Sequence, residues 1–307
     1  MTESRISRTI AIAVFLKQEI AMAIEIYRAR KGNEIAPAHA TAAAPPSGYT
    51  IEIRFLGGLS DKQKQAFKLA ANRWTQVIIG DLPDVIVGGE TINNLRITAQ
   101  GTDIDGVGNI LGQAGPNRLR PKNAGAAAFL PATGDMQFDT ADLANMEANG
   151  TLNDVITHEM GHVIGIGTIW SQKKLLKGAG TSNPTFQGTG ATKEYGVLRG
   201  AAGPVAVPVE NTGGAGTRDS HWRDTIFGAE LMTGFVGAAG NPLSRMTVAS
   251  LQDLGYTVNL AAAEPYQLPN HLEMAEKGLA AAHAAAHAQG IVLPRIPVTL
   301  PDEALVH

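Results

Sequence analysis

Alternation between apolar and polar residues places the start of the ordered domain near residue 49. Residues 49–55 alternate strictly, which is typical of a strand with one buried face. Apolar side chains then recur at helical spacing over residues 67–78, and Ser60 with Gln63 predicts a capping box where that helix begins. Trp74 falls on the apolar face of this helix, so we expect it to pack in the core.

Several extended segments precede the next helical pattern. They are residues 94–99, 110–114, 126–130 and 136–138, and the second helix is predicted to begin at Thr151. A strand, a helix and then several strands before another helix indicate an α+β domain with a mixed sheet.

The two ends of the chain differ from this domain in composition. Residues 1–48 contain a short apolar run, 9–16, which charged residues follow at once, so we predict a helical extension and a Pro/Ala-rich linker and not a signal peptide. Residues 269–307 are rich in alanine and predict a helical tail. We interpret His283 and His287, one helical turn apart in this tail, as exposed positions and not as a metal site.

Composition narrows the chemistry that the chain can perform. With 44% hydrophobic and 17% charged residues, the 307-residue chain can bury a core. The formal net charge of −3 gives no sign of nucleic-acid binding, and no apolar run approaches the length of a membrane span. Cysteine is absent, which excludes disulfides, thiol nucleophiles and zinc ribbons, so a bound metal must use nitrogen and oxygen ligands.

Two histidines one helical turn apart form the clearest chemical motif. His158 and His162 project from the same face of the predicted helix, so both imidazoles can reach one metal ion. Glu159 lies about 100° around the helix, where it can act as a general base on a water molecule without binding the metal. Burying these three groups without a partner would be costly, which argues against coincidence.

A third metal ligand must come from beyond Gly165, which is predicted to end the helix in a left-handed conformation. The metzincin pattern places a histidine six residues after the second one, but Thr168 stands at that position here. Either an acidic residue, for which Glu230 is the candidate, or a histidine delayed by an insertion therefore completes the site. Of the histidines other than His158 and His162, His221 is the one that lies outside the N-terminal linker and the C-terminal tail.

Further segments after the metal-binding helix complete a recognisable set. Following the H-E-x-x-H-x-x-G motif at 158–165 come Ser220-His221-Trp222, the ELMTG sequence at 230–234, and the segments 241–247 and 251–256. Together they resemble the leishmanolysin family of zinc endopeptidases, especially its bacterial-type members. The resemblance covers about residues 49–268. It implies His221 as the third zinc ligand and Met232 as the Met-turn residue beneath the metal.

The resemblance also implies a metzincin-like α+β fold with a twisted mixed sheet, an antiparallel edge strand and a zinc-binding helix. The predicted protease domain, residues 49–268, divides into an upper subdomain (49–165) with that helix and a lower subdomain (166–268). The lower subdomain is expected to be mainly irregular and contains an insertion rich in Gly, Thr and Pro before His221 and the Met-turn.

A predicted substrate-binding strand precedes the metal-binding helix. This region resembles matrix metalloproteinases, which implies an edge strand formed by Ile110, Leu111, Gly112, Gln113 and Ala114. A peptide substrate can add to such an edge through backbone hydrogen bonds. Gln113 and Gln137 replace the structural-zinc histidines of those enzymes, so one catalytic zinc is expected.

Calcium is a possible second cofactor. Asp103, Asp105 and Asp139 offer the oxygen ligands that calcium prefers, although solvated turn residues are the simpler interpretation.

The sequence therefore predicts a zinc-dependent endopeptidase that acts on protein or peptide substrates, with Glu159 as the general base. The alternative is a non-catalytic adhesion or binding protein on the same zinc-stabilised scaffold. A structural zinc site normally fills all four ligand positions, so the free carboxylate of Glu159 favours the enzyme. The resemblance implies a secreted or cell-surface protein. The polar C-terminus carries no signal for a lipid anchor, and without cysteine no thiolate can hold the zinc latent.

Overall fold

The computed structural model describes residues 24–31, 48–214, 216–234, 239–270 and 291–306. The strands in these residues are β1 (Glu25–Arg30), β2 (Thr50–Phe55), β3 (Val85–Val87), β4 (Glu90–Ile92), β5 (Leu95–Thr102), β6 (Ile110–Leu119), β7 (Pro131–Asp139), β8 (Leu176–Lys177), β9 (Thr185–Phe186), β10 (Val207–Pro208), β11 (Ile291–Pro294) and β12 (Val298–Thr299). The α-helices are α1 (Asp61–Val77), α2 (Thr140–Asn149), α3 (Leu152–Ile164), α4 (Thr189–Leu198), α5 (Asp224–Phe227) and α6 (Arg245–Leu254).

A mixed sheet forms the centre of the upper part of the molecule. Its strand order is β1-β2-β5-β7-β6-β11, and β12 also pairs with β6. β2, β5 and β7 run parallel to one another, whereas β6 is antiparallel to β7. The predicted α+β class with a mixed sheet is confirmed.

Each of the strands β2 and β5 has one face in the core, as the alternation in the sequence predicts. In β2, Ile51, Ile53 and Phe55 are buried and the residues between them are partly exposed. β5 alternates in the same way over its eight residues. The buried face is covered by α1 and α3, which pack against each other.

Helix α1 has a capped N-terminus and forms a hydrogen bond to α3 through Trp74. The Ser60 hydroxyl accepts from the Gln63 amide at 3.2 Å while the Gln63 side chain accepts from the Ser60 amide at 2.9 Å, so the predicted capping box is confirmed. Trp74 is fully buried, and its indole N–H donates to the carbonyl oxygen of Thr157 at 3.0 Å. The core role predicted for Trp74 is confirmed, with a direct hydrogen bond to α3 in addition.

The insertion between α3 and His221 is more regular than the sequence predicts. Besides the short strands β8 to β10 it contains helix α4. The carboxylate of Asp253 on α6 accepts from the backbone amides of Gly190 and Ala191 at 2.7 and 2.9 Å, which fastens the first turn of α4 to α6. No helix in the described parts of the chain is long and apolar enough to cross a membrane.

Three expectations about local structure are wrong. Glu25–Arg30 is a strand and not part of a helix, because Tyr27 and Ala29 turn toward the core while the backbone pairs with β2. Residues 126–130 are not extended, since Gly125–Ala127 forms a 3-10 turn. In the predicted helical tail, Ile291–Pro294 is a strand. The linker at 36–46, the apolar run at 9–16 and the pair His283 and His287 lie outside the described residues.

The predicted edge strand also needs correction. Ile110 to Ala114 do form part of an antiparallel strand, β6, but β6 does not end the sheet. β11 pairs with it in parallel, with Val292 opposite Gly112, Leu293 opposite Gln113 and Pro294 opposite Ala114. The pairing partner follows β6 by almost 180 residues in the chain, so local patterning could not reveal it.

Candidate metal centre

Helix α3 carries the histidine motif into the interior of the molecule. The helix begins after Thr151 and ends at Gly165, whose amide donates to the carbonyl oxygens of Gly161 and His162 at 3.1 Å. Gly165 has a φ of 122°, a conformation that strongly favours glycine, so the predicted helix-ending role is confirmed. Beyond it the chain turns away and later returns with His221.

The structure brings His158, His162 and His221 together in one buried group. The Nε2 atoms of His158 and His162 are 3.0 Å apart, and Nε2 of His221 lies 3.1 Å from the first and 2.8 Å from the second. Within the described residues, these three side chains form a group whose ligand atoms lie close enough together to bind one metal ion. Glu230, the alternative third ligand, does not belong to it.

Backbone carbonyl groups fix the orientation of all three imidazoles. Nδ1 of His158 donates to Leu231 O at 2.6 Å, and Nδ1 of His162 donates to Ile166 O at 2.9 Å. Nδ1 of His221 donates to Thr217 O at 2.9 Å. A carbonyl oxygen can only accept, so the proton of each neutral ring is on Nδ1 and each Nε2 carries a lone pair.

Burial keeps the three rings neutral. Burial, followed by the neighbouring His162, lowers the pKa of His158 to about 3, and burial lowers the pKa of His162 to about 4. The pKa of His221 also falls well below its ordinary value because of burial and the other two rings. Three lone pairs that face each other without a proton between them repel, and a cation relieves this repulsion. The donor set, three imidazole nitrogens, fits Zn²⁺ with one position left open.

Glu159 lies beside the histidine group and faces the same cleft. Its Oε1 is 3.9 Å from Nε2 of His158, too far for a hydrogen bond, and no described residue donates a hydrogen bond to its carboxylate. Burial raises its pKa to about 8 in the absence of a cation. The carboxylate is therefore next to the lone pairs of the ligands without being held by a structural partner.

The segment 230–233 packs next to the histidine group. Met232 is fully buried, and its sulfur lies only 2.8 Å from the point that a Cβ on Gly161 would occupy. The backbone amide of Trp222, next to His221, donates to the carbonyl oxygen of Met232 at 3.0 Å. This turn therefore contacts both the helix that carries His158 and His162 and the segment that carries His221.

Glu230 holds that turn and does not face the ligands. Its Oε2 accepts from the Met232 amide at 2.6 Å, and its Oε1 accepts from the amide and hydroxyl of Ser244 at 3.0 and 2.6 Å and from the hydroxyl of Thr247. Burial raises the pKa of Glu230, although these hydrogen bonds oppose the rise. Sequence reasoning considered Glu230 only as a metal ligand and missed this structural role.

Asp139, directly before α2, organises a loop through its carboxylate. Oδ2 of Asp139 accepts from the backbone amides of Ile104, Asp105 and Gly106 at 2.7, 3.1 and 3.2 Å, and Oδ1 accepts from Ala141 at 2.8 Å. N–H groups that point at a carboxylate occupy the directions that a cation would need. The calcium expectation at Asp103, Asp105 and Asp139 is unsupported for this reason.

A cleft of about 180 Å³ opens in front of the histidine group. β6 lines one wall through Leu111 and Ala114, and Gly216 with Thr217 lines the opposite wall. Val292, Leu293 and Pro294 of β11 also line this cleft. The run of β-branched and aliphatic residues at 291–293 is the signal from which this strand could have been predicted.

Comparison with protein-family models gives a match over part of the chain. Residues 127–273, just under half of it, match the model of the leishmanolysin family, a family of metallopeptidases. This part of the chain is leishmanolysin-like. The matched stretch contains all three histidines, Glu159 and Met232, and the family assignment made from the sequence motifs is confirmed. No curated protein matches the chain.

Proposed function

We propose that this leishmanolysin-like protein is a zinc-dependent endopeptidase. The observation that carries the proposal is the convergence of three unprotonated Nε2 atoms, from His158, His162 and His221, beside the free carboxylate of Glu159 in an open cleft. A bound zinc ion would lower the pKa of a water molecule toward 7 and polarise the carbonyl group of the scissile bond.

Glu159 moves the proton in this proposal. Its carboxylate takes a proton from the water whose oxygen attacks the scissile carbonyl carbon, and the C–N bond then breaks as the same proton passes to the departing amine. The position of its carboxylate, 3.9 Å from Nε2 of His158, and the absence of a structural partner among the described residues support this role. A carboxylate held by several N–H donors, as Asp139 is, would be far less free to exchange a proton.

Met232 forms the floor of the site in this proposal and is the Met-turn residue. Its contact with Gly161 supports this role, because Gly161 lies on α3 between the two histidines of the helix. A thioether is polarisable and packs adaptably against the irregular surface beneath the ligands.

Protein and peptide segments are the proposed substrates, bound in extended form along β6. The family resemblance makes a secreted or surface location the expectation. Residues of the strands β6 and β11 line the cleft, and strand backbone of this kind favours an extended chain as the ligand.

Hydrolysis of casein and of a quenched fluorescent peptide library by the zinc-loaded protein tests the proposal. Glu159→Gln keeps the three histidines and should lower kcat/KM by about 10²–10⁴-fold, the usual contribution of a general base. Glu90→Gln removes an exposed carboxylate on β4, in the separate β3–β4 pair; it is the matched control and should leave activity unchanged. A zinc-loaded protein that cleaves none of these substrates would favour the non-catalytic binding protein.

A further inference from the structure

The C-terminal segment of the chain runs through the cleft where the proposed substrate binds. We call residues 291–299 the strap. Its first residue, Ile291, donates from its amide to Asn109 O at 2.7 Å, and Arg295 donates from its amide to Ala114 O at 3.3 Å. Between these two points the strap follows β6 as a parallel strand. The part of β6 that faces the cleft is therefore already paired.

Glycines on both sides allow the strap to approach closely. A Cβ on Gly216, in the opposite wall of the cleft, would lie 2.9 Å from Val292 O and 3.2 Å from Cδ of Pro294. A Cβ on Gly115 of β6 would lie 3.1 Å from Cβ of Arg295. The strap thus lies between the two walls of the cleft, and Val292 to Pro294 border the same space as His158 and Glu159.

A peptide that adds to β6 needs the backbone groups that the strap uses. Strand addition derives its affinity from main-chain hydrogen bonds to an unpaired edge, and each edge can hold one partner at a time. An extended substrate and the strap are therefore mutually exclusive on this part of β6.

The end of the chain is fastened outside the cleft. Val306 donates from its amide to Asp84 O at 2.9 Å, and Leu305 bridges to Val85 of β3. Arg295 also lies 3.8 Å from the Asp135 carboxylate. An anchored segment competes at an effective concentration on the order of millimolar, so it can exclude a peptide without binding the cleft tightly.

We propose that the strap is an intramolecular occupant of the peptide groove and inhibits the protease until it is displaced. The proposal rests on the function proposed above. It assigns to the groove a ligand of defined chemistry, an extended peptide with successive aliphatic side chains. It also supplies a latency device that requires no thiolate, in a chain without cysteine.

Substitution of Val292 tests displacement in the full-length, zinc-loaded chain. Val292→Asp places a charge in the half-buried middle of the strap and leaves the anchor at Val306 in place. It should lower KM for a quenched peptide at least fivefold with kcat nearly constant, because the apparent dissociation constant is the intrinsic one divided by the fraction of open molecules, and the variant raises that fraction. Ile296→Asp is the control, since Ile296 is 93% exposed in the same segment and should match the wild type.

A disulfide provides the opposite manipulation. Gln113 and Leu293 are register partners, and adjacent strands bring Cα atoms within the span of a disulfide. Gln113→Cys/Leu293→Cys introduces the only two thiols in the chain. The oxidised variant should have at most a tenth of the activity of the same variant reduced with a phosphine, and the Gln113→Cys single variant should not respond to oxidant.

A binding measurement separates this proposal from the proposed hydrolysis. A fluorescein-labelled synthetic peptide with the sequence of residues 289–300 is titrated, in the Glu159→Ala background, against chains with and without Val292→Asp. At least tenfold tighter binding to the Val292→Asp chain supports the strap, whether or not the protein cleaves peptides. Equal binding to both chains, or a folded Val292→Asp variant with wild-type KM, would show that the strap only covers a sheet edge.

Discussion

The Nδ1 atom of His158 donates a hydrogen bond to the carbonyl oxygen of Leu231 at 2.6 Å. This contact joins His158 on α3 to a turn that follows it by more than 70 residues. Glu230 in turn holds the turn through the Met232 amide. The buried carboxylate of Glu230 is therefore linked, through the backbone of residues 231 and 232, to the imidazole ring of His158.

Replacement of Glu230 should weaken metal binding indirectly. In Glu230→Gln an amide N–H₂ replaces one oxygen and faces an N–H or O–H donor, so a buried hydrogen bond is lost at a cost of about 1–3 kcal/mol in the free energy of unfolding. Groups that orient a ligand typically contribute 10–100-fold to metal affinity, and we expect a loss of that size. Competition with a chromogenic chelator measures it, with Glu90→Gln as the control; unchanged affinity in Glu230→Gln would contradict the assignment.

Gly161 should not tolerate a side chain, although it is helical. Gly→Ala in a helix normally stabilises by about 0.5–1 kcal/mol. Here the new Cβ would lie 2.8 Å from the sulfur of Met232 and 3.1 Å from Cζ2 of Trp74, and such overpacking costs about 1–3 kcal/mol. Gly161→Ala should therefore lower the free energy of unfolding in urea, and adding Met232→Leu should recover part of the loss. A more stable Gly161→Ala variant would show that Met232 does not pack tightly under α3.

Asp139 should stabilise the fold in a pH-dependent way. Burial alone would raise its pKa, but the backbone amides of residues 104–106 and 141 outweigh this, and the net pKa is lowered. A folded-state pKa below the unfolded value of about 3.9 means that the stabilisation is complete above pH 4 and is lost as the pH falls through the folded-state pKa.

Urea unfolding of the wild type and Asp139→Asn tests this expectation. The variant should be less stable by about 1–3 kcal/mol at pH 7, because an amide N–H₂ group would replace an oxygen that accepts from backbone amides of the loop. The difference should stay constant down to pH 4 and shrink below it. A difference that grows on acidification would have the wrong sign.

Removal of the metal should destabilise the folded protein. A ligand present at 1,000 times its Kd contributes about 4.1 kcal/mol if it binds only the native state. A chelator should therefore lower the melting temperature of the wild type, and added zinc should restore it. His221→Ala should lack this zinc-dependent shift, whereas Glu90→Gln should retain it; an equal shift in His221→Ala would exclude His221 as a ligand.

Local patterns were sufficient for the parts of the molecule in which neighbouring residues determine the outcome. The capping box at Ser60, the strand at 50–55 and the end of α3 at Gly165 all follow from side chains within one or two turns. The spacing of His158 and His162 likewise fixes their common face. These features could be predicted because they depend on residues that are close together in the sequence.

The remaining features depend on contacts between distant segments. Glu25–Arg30 forms a strand because β2 offers it an unpaired edge, and the sequence around it has no signal of that partner. The strap pairs with β6 across most of the chain, which made the predicted edge strand an interior one. Asp139 offers the carboxylate oxygens that calcium prefers. The backbone amides that donate to it belong to a loop about 35 residues earlier and approach it only in the folded protein.

The most direct test of the central claim is the anomalous difference map of a zinc-loaded crystal, measured on both sides of the zinc absorption edge. We predict one strong peak about 2.0–2.1 Å from the Nε2 atoms of His158, His162 and His221. Two results would contradict the account. One is a zinc peak at coordination distance from Glu230 and not from His221. The other is the absence of a zinc peak among the three histidines at saturating zinc.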